Sequence, residues 1–359
     1  MNKIPFFKPT IGIEEKQAIN DVIDSGWLVT GPKTKEFEEK FAEYVGAEEA
    51  VFVDSGTAAL FLALKWQEKN FGVSFAGKII ETPSLTFVSD PEVICNLGAL
   101  PKFIDVNPKT FCVDDPHTEN LRIAVHLTGN EANSPATVYD SAHRIEKDDV
   151  RGSQVPWCYS FYATKNMSTI QGGMIALNNV EGAKWLRAAR DHGISKGTLE
   201  RYTQKTPTYS IDFVGYRLKA DDVRAAIGLE QLKKLPAMTQ RRNEIVARYN
   251  SNLNLVRTGN HLYPILVNDR DAFFEAMELA QIQCSVHFLP LHLMTAFKKF
   301  SPKALNKFFT GKVGKWSNLK HTEYLGKRLV SLPLFPDMTN EQVDYVCERV
   351  LDTNLLIHE

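Results

Sequence analysis

Cysteine is scarce in this chain of 359 residues, and its arrangement suggests no cross-link. The five cysteines lie far apart in the sequence, their number is odd, and no CxxC motif is present. A disulfide framework and a structural zinc site are therefore not expected. We interpret the cysteines as small buried hydrophobic residues in a reducing compartment.

An excess of one charge and a long apolar run are also absent. Lys and Arg number 42 against 43 Asp and Glu, which gives a formal net charge of -1. Nucleic acid is not expected as a partner, because binding to a phosphate backbone needs a clustered excess of basic residues. The segment MNKIPFFKPTIG lacks the apolar core of a signal peptide, and no run of about 18 apolar residues offers a membrane span. These absences predict a cytoplasmic protein without membrane contact.

Several motifs of nucleotide and hydrolase chemistry are missing as well. Neither a GxxxxGKS/T loop nor a GxGxxG fingerprint occurs, which argues against a P-loop nucleotide triphosphatase and against the usual dinucleotide site. The GxSxG turn of a serine hydrolase is also absent. His287 and His292 lack the helical spacing of metal ligands, so no metal site is predicted.

Alternating segments are what the chain does contain. Short β-branched runs are separated by amphipathic stretches and include AVFVD, KIIETPS, PKFIDV, RIAVHL and TVYDSAH. Strands separated by helices predict an α/β fold with a mainly parallel sheet. In such a sheet the functional loops lie at the carboxyl ends of the strands.

The chain divides near Pro236. Before it, DDVRAAIGLEQLKKL predicts a long helix with acidic residues at its start. After it, a charged helical segment leads into a second pattern: YPILV, DRDAFFEAMELAQ, RLVSLPLF and TNEQVDYVCERVLD. We predict a large domain over residues 1–236 and a smaller α+β domain over residues 237–359.

The segment VDSGTAAL, residues 53–60, follows a predicted strand and opens a predicted helix. Backbone N–H groups at a helix N-terminus, together with the hydroxyls of Ser55 and Thr57, would form an anion site suited to a phosphate. The same residues also fit an ordinary helix cap. From this segment alone both interpretations stay open.

A carboxylate, a histidine and a lysine follow two other predicted strands. Asp140 and His143 lie in TVYDSAH, and Lys165 follows the strand-like WCYSFY. Taken singly, Asp140 fits a turn and Lys165 a surface charge. A partly desolvated lysine, however, forms a Schiff base with an aldehyde, and a pyridoxal phosphate (PLP) site needs such a lysine, a carboxylate and a phosphate cradle. All three are present in strand-end loops, which predicts PLP as the cofactor.

Longer stretches resemble the DegT/StrS family of PLP-dependent nucleotide-sugar aminotransferases. The resemblance covers nearly the whole chain and depends on the following segments in this order: GWLVTGPKTKEFEEKFAEYVG, DSGTAAL, TPSLTFVSD, DVNPKTFCVD, AVHLTGN, DSAH, SFYATKNMSTIQGGMIAL, DDVRAAIGLEQLKKL, VHFLPLHLM and SLPLFPDMTNEQVDYV. It implies a fold type I aminotransferase with a large domain, whose mainly parallel mixed sheet is flanked by helices, and a smaller C-terminal domain. It also implies a homodimer with shared active sites.

The resemblance further implies roles for individual residues. Lys165 would be the catalytic Schiff-base lysine, where some family members that act as dehydratases have histidine. Asp140 would keep the pyridine nitrogen protonated, and His143 would lie near the phenolic oxygen. The remaining cofactor contacts would be Gly56, Thr57, Ala58, Ser160 and Phe87. His287 and His292 would lie near the sugar nucleotide.

The chain departs from the family pattern in two places. Family members commonly have an asparagine that reaches the cofactor phosphate of the partner subunit, and Gly215 stands at that place here. Tyr216 or Arg217 would then take over this contact or bind substrate. The segment between DSAH and SFYATKN is also shorter than is usual, which affects the local shape of the substrate pocket.

We therefore expect transfer of an amino group from L-glutamate to a keto group of a nucleotide-linked deoxysugar, in the biosynthesis of a surface polysaccharide or glycan. Two alternatives remain. One is another fold type I PLP enzyme that acts on amino acids, such as an epimerase or a lyase. The other is a PLP-binding regulator without turnover, for which loss of Lys165 or Asp140 would be expected, and neither is lost.

Overall fold

The computed structural model describes residues 3–194, 208–300 and 318–358. The chain folds into two compact units. The first unit comprises Ile11–Ala76 and Thr137–Pro236, and the second unit comprises Met1–Thr10, Gly77–Ala136 and Ala237–Glu359. The predicted assignment of domains to residues 1–236 and 237–359 stays a prediction.

Helices and strands alternate along most of the chain. In chain order they are α1 (Ile13–Ser25), α2 (Pro32–Val45), β1 (Glu49–Val53), α3 (Gly56–Phe71), β2 (Ile79–Pro83), α4 (Ser89–Asn96), β3 (Leu100–Ile104), β4 (Ile123–Val125), β5 (Val138–Asp140), β6 (Trp157–Ser160), β7 (Gly173–Leu177), α5 (Val180–Ala189), α6 (Asp222–Leu253), β8 (Tyr263–Leu266), α7 (Arg270–Leu279), α8 (Lys320–Arg328), β9 (Leu329–Leu332) and α9 (Asn340–Asp352). Within the described ranges, no helix is long and apolar enough to cross a membrane.

The first unit contains a sheet whose neighbouring strands are β1, β7, β6 and β5, in that order. Strands β5 and β6 are parallel, with Asp140 opposite Cys158. Strand β7 is antiparallel to both β6 and β1, which places Gly173 opposite Ser160 on one side and Val53 on the other. Since β7 runs against both of its neighbours, β1, β5 and β6 point the same way. Their carboxyl ends meet at one edge of the sheet.

Aromatic side chains of helix α2 pack against residues of β1 and β6 near that edge. Phe37 and Phe41 lie four residues apart on α2 and so share one side of the helix. Their rings contact Phe52, Tyr159 and Phe161, with centroids 5.0 to 5.5 Å apart. All five rings are fully buried, and each contributes roughly 2 to 3 kcal/mol by its removal from water. The ends of β1 and β6 are therefore held by the core.

The second unit has a parallel pair, β2 and β3, and an antiparallel pair, β8 and β9. Helices α7 and α9 are amphipathic and contribute to one apolar core with β8 and β9. Its buried members include Tyr249, Tyr263, Ile265, Phe273, Val330, Leu332, Val343 and Val346. Alternating strands and helices thus recur after residue 237, as the sequence pattern indicated.

Helix α6 differs from the sequence-based expectation, since it continues through Pro236. Proline inside a helix removes one hydrogen bond and costs about 3 kcal/mol. Leu235 and Met238 on either side of it are buried, so burial of the flanking turns offsets that cost. The prediction of an α/β fold with a mixed sheet flanked by helices is confirmed.

Candidate functional site

The candidate site begins at the carboxyl-end edge of the first unit's sheet. Val53 ends β1, Asp140 ends β5 and Ser160 ends β6. The polypeptide leaves this edge as three loops that lead into the segments 54–57, 141–143 and 161–165. These loops carry Gly56, Thr57, His143 and Lys165. The sheet topology therefore brings the first unit's predicted cofactor residues to one edge.

Ser55 caps α3 at this edge. Its Oγ accepts a hydrogen bond of 3.1 Å from the N–H of Ala58, so the predicted helix cap is present. The N–H groups of Gly56 and Thr57 begin the helix and, as at any helix start, have no partner within it. With the helix dipole they form a site of positive potential for an anion. Gly56, Thr57 and Ala58 were predicted to bind the phosphate. Of these three, Ala58 is the one whose N–H is already bonded to the capping Ser55 hydroxyl.

Two close approaches shape this cradle. A Cβ atom added to Gly56 would lie 2.8 Å from Cβ of Ser160 and 3.2 Å from its Oγ. A Cβ added to Gly173 would lie 2.2 Å from the Ser55 carbonyl oxygen. Both glycines are therefore required by space, and they let the helix start rest on β7 beside the Ser160 hydroxyl. Ser160 thus lies beside the first N–H group of α3.

Asp140 and His143 are held in the turn after β5. Asp140 is 5% exposed, and its Oδ1 accepts a hydrogen bond of 2.8 Å from the N–H of Ala142. His143 is also 5% exposed. The N–H of Ser141 donates to the carbonyl of Cys158 at 2.7 Å, which continues the pairing of β5 with β6. The carboxylate is thus fixed at the sheet edge rather than free to rotate in solvent.

Lys165 lies in the loop from β6 to β7 and is half-buried. Its N–H donates to the carbonyl of Tyr162 at 2.9 Å, which forms a tight turn at the lysine. The following residues, Asn166 and Met167, are buried. The segment that follows the lysine is therefore held in the interior of the first unit, while the functional role of Lys165 stays a prediction.

The residues at this edge fit a PLP molecule. The helix start and Ser160 match a phosphate, and a buried carboxylate matches a pyridinium nitrogen. Buried polar atoms without hydrogen-bond partners are few in folded proteins. In the described part of the chain they include Ser141 Oγ, next to Asp140, and both amide atoms of Asn166, next to Lys165. Polar atoms of this kind mark a place where a polar ligand is expected.

Asp54 is a residue at this edge that sequence reasoning missed. Burial raises the pKa of its carboxyl above the ordinary value, although the Ser55 hydroxyl and Arg224 act in the opposite direction. Its N–H donates to the Leu218 carbonyl at 3.0 Å, and Arg224 donates to its carbonyl at 3.4 Å. The position of an acid directly before the Ser-Gly turn is the signal that could have found it.

The surroundings of Gly215 leave no room for a side chain. A Cβ added to Gly215 would lie 2.2 Å from the backbone nitrogen of Gly193, and one added to Gly193 would lie 1.8 Å from the Phe213 carbonyl oxygen. Backbone hydrogen bonds close the same contact, because Tyr216 N–H donates to Ala189 at 2.7 Å. Glycine is therefore needed here for space, and no asparagine side chain fits at this position.

Tyr216 and Arg217 differ in exposure. The ring of Tyr216 packs edge-on against Phe61, with centroids 5.0 Å apart, and is half-buried. The Arg217 side chain is 63% exposed, with its Nη1 3.8 Å from Asp191 Oδ1. Arg217 is thus the one of the two that presents its functional group to solvent.

The other predicted contacts lie in the second unit. Phe87, in the loop between β2 and α4, is 54% exposed, and its ring lies 5.8 Å from that of Phe288. His287 is half-buried, stacks on Phe6 with centroids 5.2 Å apart, and has Nδ1 3.1 Å from Ser331 Oγ. A stacking role for Phe87 and a substrate contact for His287 stay predictions.

His292 is buried and hydrogen-bonded at both ring nitrogens. Its Nδ1 is 2.7 Å from Ser84 Oγ, and its Nε2 is 3.4 Å from Glu323 Oε1. Burial lowers the pKa of His292 below the ordinary value, against the opposing influence of Glu323 and Asp105. Ser84 lies three residues before Phe87, so His292 supports the loop that carries Phe87. A direct substrate contact for His292 stays a prediction.

A cavity of about 920 Å³ lies elsewhere in the first unit, along α2 and α5. None of the predicted site residues lines it. Glu38, which lines it, pairs with both Arg187 and Arg190. Among the described residues, no group of three or more His, Cys, Asp or Glu side chains is placed to hold a metal ion. The cavity therefore adds no reactive group to the site.

The chain is similar to known proteins over nearly its whole length. A model of the DegT/DnrJ/EryC1/StrS aminotransferase family matches residues 9–133 and 152–351. The spore coat polysaccharide biosynthesis protein SpsC of Bacillus subtilis (strain 168) is 34% identical, over 97% of this chain and 96% of SpsC. The aminotransferase TlmJ from Streptoalloteichus hindustanus superposes with a TM-score of 0.81 at 26% identity, over 98% of this chain and 99% of TlmJ. The PLP-form of Spr1654 from Streptococcus pneumoniae gives a TM-score of 0.82 at 26% identity, over 98% of each chain.

The fold and these matches define the class first: the protein is a PLP-dependent aminotransferase of fold type I. Within that class, the chain belongs to the DegT/DnrJ/EryC1/StrS aminotransferase family. It is a sugar aminotransferase, as the sequence resemblance implied.

The family match omits residues 134–151. This segment contains Asp140 and His143, two of the predicted cofactor residues. Their placement therefore depends on the geometry of β5, which ends at the same sheet edge as β1 and β6. The segment predicted to be shorter than usual, between DSAH and SFYATKN, connects β5 to β6, and its effect on the substrate pocket stays a prediction.

Proposed function

We propose that the protein transfers an amino group from L-glutamate to a keto group of a nucleotide-linked deoxysugar, with PLP as its cofactor. One observation carries the proposal. A half-buried lysine, a buried carboxylate and an open helix N-terminus leave the same sheet edge in a chain of this aminotransferase family. The name of SpsC supports a place in polysaccharide biosynthesis, and we propose that the reaction takes place in the cytoplasm.

Different residues would bind different parts of the cofactor. The N–H groups of Gly56 and Thr57 would hold the phosphate, with the Ser160 hydroxyl as a further donor. Asp140 would pair with the protonated pyridine nitrogen and so favour its charged form. His143, buried beside Asp140, would face the phenolic oxygen. Phe87 would stack on the ring, as the family resemblance implies.

The reactive group of the protein would be the amine of Lys165. It would bind the cofactor aldehyde covalently. Once the donor's amine has displaced it, the Lys165 amine would accept the proton from the donor's α carbon and donate it again later in the amino transfer. When bound, PLP supplies an electron sink that stabilises negative charge at that carbon. Asp140 maintains this property because it keeps the ring nitrogen positive.

We further propose a homodimer with shared active sites. In the first unit, several apolar side chains are exposed, and a dimer interface would remove such side chains from water. They are Ile13, Ile23, Leu28, Val29, Ile211 and Val214, of which Val214 is 92% exposed. Arg217, three residues after Val214, is the exposed cation that would reach the partner's phosphate in place of the missing asparagine. Light scattering on the purified protein tests the dimer.

The proposed reaction is tested with purified protein, added PLP and L-glutamate. We expect the visible absorption of the bound cofactor to fall on addition of glutamate, with release of 2-oxoglutarate. A panel of keto-deoxysugar nucleotides should then restore the absorption with the cognate sugar, and mass spectrometry should detect the amino sugar. Lys165→Ala should abolish both steps and the borohydride-reducible link to the protein, whereas Lys184→Ala, an exposed lysine on α5, should change neither.

Three results would contradict the proposal. If neither glutamate nor any other amino acid changes the absorption, the protein is not a transaminase. If an amino acid is consumed without an amino acceptor, a lyase or an epimerase is the better description. If Lys165→Ala keeps a reducible link to PLP, the site is assigned to the wrong lysine.

A further inference from the structure

The segment 161–172, which we name the lysine loop, is closed by hydrogen bonds at its base. Phe161 N–H donates to the Gly172 carbonyl at 2.9 Å, and Thr169 N–H donates to the Phe161 carbonyl at 3.0 Å. Phe161 is fully buried, which fixes this base in the core. Lys165 lies between the two closed ends, four residues after Phe161. Its backbone position therefore depends on what holds the middle of the loop.

A glutamine from another element contacts the loop between Lys165 and its second closed end. The N–H of Ser168 donates to Gln231 Oε1 at 3.3 Å. Ser168 is 4% exposed and Gln231, on α6, is 2% exposed. Ser168 is three residues after Lys165, so this bond ties the segment that directly follows the lysine's turn to a long helix. Helices are stiffer than loops, and a reacting group supported by one keeps its geometry more closely.

A buried glutamate fixes which end of the glutamine faces the loop. Gln231 Nε2 donates to Glu15 Oε1 at 2.8 Å, and the same carboxylate accepts bonds from Gly12 N–H at 2.7 Å and from Lys234 Nζ at 2.8 Å. Burial alone would raise the pKa of Glu15, but the bonds from Lys234 and Gln231 outweigh it and lower that pKa below its ordinary value. Glu15 is therefore ionised near neutral pH.

The charge on Glu15 has a consequence for Gln231. An ionised carboxylate only accepts hydrogen bonds, so the amide nitrogen of Gln231 must face Glu15. The amide oxygen is then turned toward the Ser168 N–H, and the amide does not flip. The order Glu15, Gln231, Ser168 is thus a directed chain of buried polar groups that ends in the lysine loop.

We propose that Gln231, oriented by Glu15, is a positioning residue for Lys165. Its role is to hold the lysine's backbone turn so that the amine meets the cofactor aldehyde and the donor's α carbon in one geometry. The proposal depends on the function proposed for Lys165. Neither residue was singled out by the sequence patterns, because a glutamine on a helix and an acid near a helix start are both common.

The test compares Gln231→Ala with Leu232→Ala, which truncates a buried neighbour on the same helix without a contact to the chain of polar groups. The first measurement uses the protein without PLP: amide hydrogen exchange of peptides that cover residues 161–172. We expect exchange in the lysine loop to speed up about tenfold in Gln231→Ala, from loss of one buried hydrogen bond. Leu232→Ala should lower the stability of the fold with no selective change in this loop.

The second measurement follows the loaded protein. In Gln231→Ala, the rate of covalent PLP attachment should fall about tenfold, and the pH midpoint of the visible absorption should shift. In Glu15→Gln the changes in attachment rate and pH midpoint should be smaller than in Gln231→Ala. The isosteric amide at position 15 still accepts one hydrogen bond, but it no longer dictates the orientation of the Gln231 amide. The double variant Glu15→Gln/Gln231→Ala should resemble Gln231→Ala alone, because residues in one chain of bonds are not additive.

Two outcomes would overturn the proposal. Unchanged exchange in residues 161–172 of Gln231→Ala would show that the glutamine does not hold the loop. Faster exchange with an unchanged attachment rate and pH midpoint would show a structural contact without a positioning role. Failure of the proposed function is distinguished separately, because Lys165→Ala would then retain the reducible link while the exchange result still stands.

Discussion

The sheet edge of the first unit and the loop 284–293 of the second unit hold their polar residues in different ways. At the edge, Asp140 and Ser160 end their strands, and their positions come from strand order and register. In the loop, His292 is placed by individual side-chain bonds to Ser84 and Glu323. The edge is therefore fixed by the backbone of the fold, whereas the loop is fixed by a few replaceable contacts.

We relate this difference to the separate requirements of catalysis and of substrate recognition. A group that exchanges protons must stay in one geometry for every substrate, and a sheet edge with a packed aromatic core supplies that. Substrate contacts differ among enzymes that share a fold. Side chains in loops can be substituted with little loss of stability, so loops accommodate this variation. We therefore expect substitutions at the edge to affect turnover and substitutions in the loop to affect stability or substrate affinity.

Asp140→Asn should have the largest effect. The amide keeps the shape but loses the charge that favours a protonated pyridine nitrogen, so kcat should fall on the order of 10³-fold, or roughly 4 kcal/mol of barrier. Steady-state kinetics with glutamate measures this. His292→Asn is the matched substitution in the loop, and it should leave kcat within about tenfold. Similar losses of kcat in both variants would contradict the proposed difference between the sheet edge and the loop 284–293.

Gly215→Asn should follow in size and should act on stability. The new side chain would meet the backbone of Gly193 at 2.2 Å, and backbone atoms cannot move aside, so we expect a loss of about 3 kcal/mol in the free energy of unfolding. Urea titration measures it. Gly152→Asn is the control, because Gly152 has a φ of +74° with open space around it, a conformation that asparagine tolerates. Unchanged stability in Gly215→Asn would refute the steric explanation for this glycine.

Gly173→Ala should have a moderate effect on cofactor binding. Its Cβ would lie 2.2 Å from the Ser55 carbonyl oxygen and displace the start of α3. We expect the Kd for PLP to rise about tenfold, or roughly 1.4 kcal/mol, in equilibrium dialysis with the protein freed of PLP. Gly72→Ala, at the opposite end of α3, has nothing within 4 Å but a φ of +67°. It should cost stability alone, and an equal loss of PLP affinity there would contradict the role of Gly173.

The smallest expected effect is a pH dependence from His292. Its pKa in the folded protein is lowered by burial, so the unfolded chain takes up its proton first as the pH falls below about 6.5, the ordinary histidine value. Stability should therefore be fully present above that pH and decline below it. Urea unfolding at several pH values should show a shallower decline in His292→Asn than in the unchanged protein. The same slope in both would mean that His292 does not contribute.

Much of the fold and the candidate site follows from local sequence. The β-branched runs predict β1 to β5, and the strand-end positions of Asp140 and Lys165 were predicted because parallel strands end at one edge. Helix α6 was predicted to stop at Pro236 and does not, since burial of neighbouring turns outweighs a local propensity. Glu15 and Gln231 were missed because their partner, Ser168, is distant in sequence and only the fold brings them together.

The sequence by itself was enough to predict a role for the lysine, the aspartate and the Ser-Gly turn, because these residue types at strand ends are what a PLP site requires. It also determined the family, through segments whose order extends along nearly the whole chain. Only the tertiary structure decided why Gly215 and Gly173 are glycines and why His292 is buried rather than open. Those properties depend on atoms of distant segments, Gly193, Ser55 and Ser84, which approach within hydrogen-bond or van der Waals distance only after folding.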